Sequence, residues 1–216
     1  SHSAPVATQA CHAAGIGLAM KMRGEQKVVL TTIGEGSTSQ GEWYEAVNWA
    51  AVHQLPVIFM VENNQYAISV PQHLQMAVRS SADKACGLGL EGITVDGTDM
   101  LAVYEAVDRA AQKARAGEGP TVIEARMYRI TPHSSDDDDR TYRSREEVEE
   151  NKKRDPIIVN RAHLEAAGIL TPAMVDEMEA KAKAIVDDAV DYATKAPYPA
   201  VEAGSYPVYA EEVRHG

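Results

Sequence analysis

Apolar residues recur along this chain with two different periods. Lys27–Ile33, Val57–Val61 and Thr121–Met127 hold nearly continuous apolar and β-branched runs bounded by polar residues, and each predicts a buried strand. Gly92–Gly97 predicts a shorter strand ending in a turn. Between these runs the spacing becomes helical. Ala10, Ala13, Ala14, Gly17, Leu18 and Met20 predict a small-residue helix over Thr8–Met22, whose glycine and alanines let another backbone approach. Trp43, Val47, Ala50 and Ala51 predict a helix over Gly41–Leu55, broken by Pro56. A short helix is expected within 77–87. Leu101, Tyr104, Val107, Ala110 and Ala111 predict the inner face of a helix that runs to Ala116 with Asp99 as its cap. Strand–helix–strand order repeated in this way predicts a doubly wound α/β domain: a largely parallel sheet, right-handed crossovers and helices on both faces.

The pattern changes after Ile130. Thr131–Arg145 is a polar loop with four consecutive aspartates, Asp136 to Asp139. Ser144 and Glu147 have capping-box spacing and open a charged helix to about Lys153. Asp155-Pro156 and Thr171-Pro172 start two more helices, to Ala167 and Ala196, with narrow apolar stripes suited to a sheet edge or a partner subunit. Pro197–Gly216, rich in proline and tyrosine, reads as an extended tail. The expected organisation is an α/β region, 1–145, with a C-terminal helical appendage and tail, 146–216, packed on the same domain.

With 216 residues, 44% of them hydrophobic, the chain has material for one core of ordinary size. The formal net charge of −11 argues against a nucleic-acid partner, which needs a basic footprint. Cys11 and Cys86 lack metal-ligand or redox spacing, and are expected to be free buried thiols in a reducing compartment. No apolar stretch is long enough to predict a membrane span.

Candidate chemistry concentrates between Gly34 and Asn64. A glycine-rich loop after a strand suggests dinucleotide binding, but the spacing fails: after Gly34 and Gly36 the third glycine should stand at Ser39, and the next is Gly41. Glu35, between the first two glycines, would repel a pyrophosphate unless a cation intervened. If the runs ending near Gly34 and Asn63 are neighbouring parallel strands, their carboxyl ends lie side by side, where open α/β sheets bind ligands. A carboxylate and an amide oxygen would converge there, a donor set for a hard cation such as Mg2+ carrying a phosphate. Taken singly, Glu35 also reads as a solvated loop acid and Asn63-Asn64 as a turn. The two together, on successive strands, are the more specific signal.

These residues also carry a resemblance. Gly34-Glu35-Gly36 with Asn63-Asn64 is similar to the thiamine diphosphate motif. Ala7-Thr8-Gln9, Glu62 to Ser69, Val95-Asp96-Gly97, Glu124 to Arg129, His133 to Asp137 and Tyr142-Arg143 extend the likeness over nearly the whole chain. The text resembles the alpha subunit of the decarboxylating component of 2-oxo acid dehydrogenase complexes. Its loop after His133 is closer to the branched-chain type than to the pyruvate type. The resemblance implies a sheet of the thiamine diphosphate-binding type. Glu35, where the family more commonly has aspartate, and the Asn64 side chain would bind Mg2+ with the Tyr66 carbonyl. Gly34, Glu35, Gly36 and Ser37 would lie against the diphosphate. Ala4 and Val6 would hold the aminopyrimidine, Val6 as an apolar wedge, and Tyr66, Ala67, Ile68 and His133 complete the cofactor-binding set. Ser3, Pro5, Thr8 and Gln9 stand where some branched-chain members bind K+, although a plain helix N-terminus accounts for them equally well.

For His133 the resemblance implies proton transfer beside the thiazolium; a lone loop histidine otherwise reads as exposed. Ser134 matches a regulatory phosphorylation site of animal members. Arg129 would anchor this loop, through its aspartates, and the aspartate run otherwise reads as solvated. Glu62 replaces an arginine of animal members, as bacterial relatives commonly do. Members carry a long segment ahead of the position of Ser1, which supplies further diphosphate and substrate contacts, and the acid that activates the cofactor belongs to a beta subunit. The chain alone is therefore expected to be inactive and to bind the cofactor weakly. The function implied is oxidative decarboxylation of a branched-chain 2-oxo acid, with the acyl group passed to the lipoyl group of an acyltransferase. The implied assembly is an alpha2beta2 heterotetramer, cytoplasmic in a bacterium or in the mitochondrial matrix of a eukaryote. The alternatives are a pyruvate or acetoin enzyme, a truncated chain with only an assembly role and, more weakly, a dinucleotide-binding protein.

Overall fold

Why the chain folds as it does is seen first in its continuous apolar runs, which become the interior strands of a parallel sheet. The computed structural model of the chain describes residues 5–205. In chain order the first elements are α1 (Thr8–Met22), β1 (Val29–Gly34), a 3-10 turn (Glu35–Ser39), α2 (Gly41–Val52) and β2 (Val57–Asn63). A small hairpin, β3 (Tyr66–Ala67) and β4 (Val70–Pro71), and two one-turn helices, α3 (Gln72–Gln75) and α4 (Asp83–Cys86), follow. Then come β5 (Glu91–Asp96), α5 (Met100–Arg115), β6 (Thr121–Arg126), α6 (Arg145–Lys152), α7 (Pro156–Ala166) and α8 (Pro172–Lys195).

The sheet has the order β1-β2-β6-β5, and every pairing in it is parallel. Gly34 lies opposite Glu62, Asn63 opposite Arg126 and Asp96 opposite Arg126, so the carboxyl ends of all four strands share one edge of the sheet. The two central strands are buried on both faces. On one face Ile33, Val57, Phe59, Val61 and Val122 pack with the alanines of α1 and with Trp43, Ala46, Val47 and Ala50 of α2. On the other, Ile58, Met60, Ile123 and Ala125 pack with Ala106 and Ala110 of α5. Full burial of side chains such as Phe59 stabilises by roughly 1.5–3 kcal/mol each. The fold is therefore α/β, a parallel sheet with helices.

Several expectations are corrected in detail. The inner face of α5 is Ala106, Ala110 and Ala114, with Val103, Val107 and Ala111 partly buried beside them; Val107, Ala110 and Ala111 pack as expected, while Leu101 and Tyr104 are 61% and 68% exposed. Small and β-branched residues are what a helix lying close against a sheet accommodates here, so Leu101 and Tyr104 point outward. Helix α2 stops at Val52, because Gln54 takes a left-handed conformation (φ 47°) ahead of Pro56. The helix within 77–87 is only the turn Asp83–Cys86. Both cysteines are free, as expected, but exposed rather than buried: Cys11 lies at the flank of the buried alanine face of α1, its thiol 3.5 Å from the Glu42 carbonyl. Asp99 caps α5 through its side chain, accepting from the N–H groups of Leu101 and Ala102.

The chain divides after His163 into two compact units, which leaves α6 in the first unit with the sheet. In the second unit α8 opens on a Thr171 cap, and Val175 is its buried residue among many exposed ones. Val201–Ser205 forms a 3-10 turn rather than extended chain, and the rest of the tail lies outside the described residues. No helix among the described residues is long and apolar enough to cross a membrane.

Candidate functional site

The shared carboxyl edge of the sheet places the glycine-flanked acid beside the asparagine pair. β1 ends at Gly34, and the 3-10 turn begins at Glu35, which is 1% exposed. Its position is fixed from behind. Thr38 donates its hydroxyl to the Glu35 carbonyl (2.7 Å), and Lys84 Nζ donates to Thr38 Oγ1 (2.7 Å) while lying over the rings of Trp43 and Tyr44. Glu35 Oε2 accepts from the Asn64 backbone N–H at 3.2 Å, and Oε1 is buried with no hydrogen-bond partner. Burial pushes this carboxyl above its ordinary pKa; its own backbone N–H, that of Asn64 and the charge of Arg129 act against the shift. A Cβ at Gly36 would stand 2.6 Å from that of Ala67, so the loop can meet the hairpin only with glycine there.

The two asparagines divide their work. Asn63 is fully buried and structural: its Oδ1 accepts from Gln65 N–H (3.0 Å), and its amide donates to Glu124 and to Gln72 Oε1. Asn64 Oδ1 accepts from Tyr66 N–H at 3.2 Å and keeps a second lone pair. Gln65 (φ 72°) and Ile68 (φ 56°) are left-handed, a costly conformation for a β-branched residue in particular. Arg129 holds the strained turn by donating to the carbonyls of Tyr66 (3.2 Å) and Ile68 (2.6 Å). The Tyr66 hydroxyl donates to Glu147 Oε1 (2.8 Å), as does that of Tyr128 (2.9 Å). Burial, then this carboxylate, raises the Tyr66 phenol well above its ordinary pKa. Ser144 Oγ does accept from Glu147 N–H (3.0 Å), but the Glu147 side chain serves the tyrosines in place of the far half of a capping box.

Arg129 also reaches the histidine loop. It donates to the Tyr142 hydroxyl (2.9 Å), Tyr142 donates to Asp137 Oδ2 (2.5 Å), and the same oxygen accepts from His133 N–H (2.8 Å). The arginine thus links the Tyr66 turn to the backbone of His133, with Tyr142 between it and the aspartate. The His133 and Ser134 side chains are exposed. The aspartate run, read from sequence as solvated, is not uniformly so. Asp139 is buried and pairs with Arg143 and Arg145; burial would raise its carboxyl, and the two guanidinium groups more than reverse that.

Of the remaining predicted residues, Ser3 and Ala4 lie outside the described residues. Val6 is 50% exposed in the turn ahead of α1. Pro5 is exposed, Thr8 half-buried, and Gln9 has a buried Oε1 with no partner. Glu35 Oε1, Asn64 Oδ1 and the Tyr66 carbonyl are oxygen donors of one short loop pair, a set that suits a hard cation. No cluster of three His, Cys, Asp or Glu side chains fit for a metal occurs among the described residues, so the set would be one carboxylate with neutral oxygens. A cleft of about 360 Å3 lies along the same sheet edge, lined by Thr94, Asp96, Arg126 and Tyr128, and does not include Glu35. Sequence reasoning missed Lys84, Arg143 and Glu124 as supports of the site. The signal for Glu124 was present: one acid inside an otherwise apolar central strand.

Comparison with known proteins places the chain in a family. Residues 1–202 match the family model described as dehydrogenase E1 component. The chain is 52% identical over 209 residues to the 2-oxoisovalerate dehydrogenase subunit alpha of Bacillus subtilis (strain 168), covering 97% of this chain and 63% of the relative. It is 43% identical over 209 residues to the 3-methyl-2-oxobutanoate dehydrogenase subunit alpha of Mycobacterium tuberculosis (strain CDC 1551 / Oshkosh), covering 97% and 57%. A pyruvate dehydrogenase E1 component subunit alpha of Staphylococcus aureus (strain Mu50 / ATCC 700699) is 43% identical over 186 residues, covering 86% and 50%. The chain thus spans 63% or less of the length of these curated relatives. The buried acid of the glycine loop, the asparagine turn and the arginine-held histidine loop are features of a chain that belongs to the dehydrogenase E1 component family.

Proposed function

We propose that the protein containing this chain is the alpha subunit of a thiamine diphosphate- and Mg2+-dependent dehydrogenase of branched-chain 2-oxo acids. The observation that carries the reading is Glu35: a buried carboxylate with one unpartnered oxygen, beside the Asn64 amide and the Tyr66 turn. In an apolar setting that oxygen calls for a cation, and Glu35, Asn64 and the Tyr66 carbonyl would hold Mg2+ against the diphosphate. Gly34, Gly36 and Ser37 would line the diphosphate, with Ala67, Ile68, Ala4 and Val6 toward the aminopyrimidine. When bound, thiamine diphosphate supplies a nucleophilic carbon and an electron sink for loss of CO2. His133 is assigned the movement of a proton next to the substrate, on a loop whose backbone Arg129 and Asp137 hold. The unpartnered Gln9 Oε1 supports K+ binding with Ser3, Pro5 and Thr8. A phosphate on exposed Ser134 would add about two negative charges beside the site.

The branched-chain reading is supported by the names of the first relatives and by the 52% identity of one of them, and a pyruvate enzyme is the second reading. The same reading takes the whole fold as doubly wound, with residues 146–216 as its appendage. Its partners are a beta subunit, in a two-plus-two heterotetramer, and the lipoyl domain of an acyltransferase. The test is to reconstitute the full-length alpha chain with its beta subunit and compare 2-oxoisovalerate with pyruvate. Decarboxylation that requires thiamine diphosphate and Mg2+, prefers the branched acid and is lost in Glu35→Gln is expected. Cofactor-independent turnover, or a strong preference for pyruvate, would overturn the reading.

A further inference from the structure

Glu124 is the costliest residue in the sheet. It stands in β6 between Val61 of β2 and Thr94 of β5 and is fully buried, on a strand whose neighbours Val122, Ile123 and Ala125 are core residues. An ionised carboxylate taken out of water is tolerated only when fully hydrogen-bonded. Its partners are specific. Oε1 accepts from the Asn63 amide and from Ser81 N–H (3.1 Å), and Oε2 from the hydroxyls of Ser80 and Thr94 (3.2 Å), with Arg126 Nε at 3.5 Å. An apolar residue at this position would pack the sheet at lower cost. What the carboxylate adds is a bond to the residue immediately before Asn64. Asn63, held by Glu124, turns its Oδ1 to Gln65 N–H and so sets the left-handed turn that presents Asn64 and the Tyr66 carbonyl.

We propose that Glu124 is a positioning residue for the cation half-site, acting through Asn63 on the Asn64–Tyr66 turn. The proposal rests on the reading that Glu35 and this turn bind a cation. Two arms then set the site from opposite sides, one from Glu124 through Asn63 and the other from Lys84 through Thr38 to Glu35.

The test uses the full-length alpha chain with its beta subunit and follows Mn2+ binding in the presence of thiamine diphosphate, with thermal midpoints measured alongside. Glu124→Ala and Asn63→Ala both cut the Asn63 arm and should weaken Mn2+ binding about tenfold or more, the size of effect seen for groups that orient metal ligands. Glu124→Gln keeps an oxygen able to accept from Asn63 and Ser81, and should recover most of the affinity. Ser80→Ala removes another Glu124 partner and leaves the Asn63 arm intact, so it should lower the thermal midpoint with Mn2+ affinity unchanged. Should Glu124→Ala fail to fold, Asn63→Ala, Glu124→Gln and Ser80→Ala still decide. Asn63→Ala binding Mn2+ like wild type, or Ser80→Ala weakening it equally, would overturn the proposal. Wild-type protein that binds no Mn2+, or binds it unchanged in Glu35→Gln, would instead overturn the cation reading beneath it.

Discussion

At the residue scale the decisive property of Glu35 is its missing partner. With one oxygen unbonded and the carboxyl buried, the folded chain without a cation favours the proton-bound acid. The folded pKa lies above that of the unfolded chain, so the native state binds the proton more tightly. This contribution to stability is complete below the ordinary glutamate range and is lost as pH rises through the raised value. The cation-free protein should therefore lose thermal stability relative to Glu35→Gln as pH is raised above the ordinary glutamate range and through the raised value, since the variant has no proton to give up. Calorimetry of the two proteins across this range checks the sign, and Mg2+ should lift the wild-type midpoint more at the upper end. Gly36 sets a second limit at this scale. Gly36→Ala must displace Ala67 and should cost about 1–3 kcal/mol, read by denaturant unfolding, because the hairpin and the glycine loop are in contact.

Elements differ in how much of them could be read from the chain. Helix α1 was legible to its bounds, since small residues at helical spacing occupy its buried face without a break. The strands were legible because both faces of β2 and β6 are covered, which forces continuous apolar runs. The face of α5 was legible only in part: Val107, Ala110 and Ala111 pack on the sheet, but ranking residues by hydrophobicity favours Leu101 and Tyr104 over Ala106 and Ala114, which fit against it. Within the candidate site, the nearness of Glu35 to Asn64 was legible from the spacing of the two strand ends. The structural role of Asn63 and the support from Lys84 were not, because each depends on a partner distant in sequence, and the burial of Asp139 was not, because four consecutive aspartates give no sign of which one turns inward to Arg143 and Arg145. Two substitutions separate local from tertiary constraint. Asp99→Ala removes the cap of α5 and should cost about 1 kcal/mol in equilibrium unfolding. Gly92→Ala should cost more, about 1–3 kcal/mol, since its Cβ would overlap the carbonyl of Ala82 in the loop that Glu124 also holds.

For the whole molecule, the site couples stability to ligand. The buried acid, the strained turn and the carboxylate inside the sheet all weigh against the empty fold, and the proposed cation with its diphosphate would satisfy the first of them directly. A ligand bound only by the native state at about 100 times its dissociation constant adds about 2.7 kcal/mol. The full-length protein should therefore melt several degrees higher with Mg2+ and thiamine diphosphate together, and chelation of the cation should reverse most of that rise. With a net charge of −11, the chain offers little general attraction for a diphosphate, so the proposed cation would have to carry that task.

Much of the turn that Arg129 grips is main chain: the carbonyls of Tyr66 and Ile68 are the groups it holds, and the first is also the proposed cation ligand. Side-chain replacement cannot delete a carbonyl. A library of substitutions at these two positions would register lost packing and altered backbone preference while leaving the oxygen in place. The most exposed of the pair, Ile68, could then be scored as dispensable in a mutational survey although its peptide group is gripped by a guanidinium. Replacing the peptide bond that follows Tyr66 or Ile68 by an ester, which weakens the carbonyl as an acceptor and spares the side chain, is the change to which this part of the molecule is sensitive.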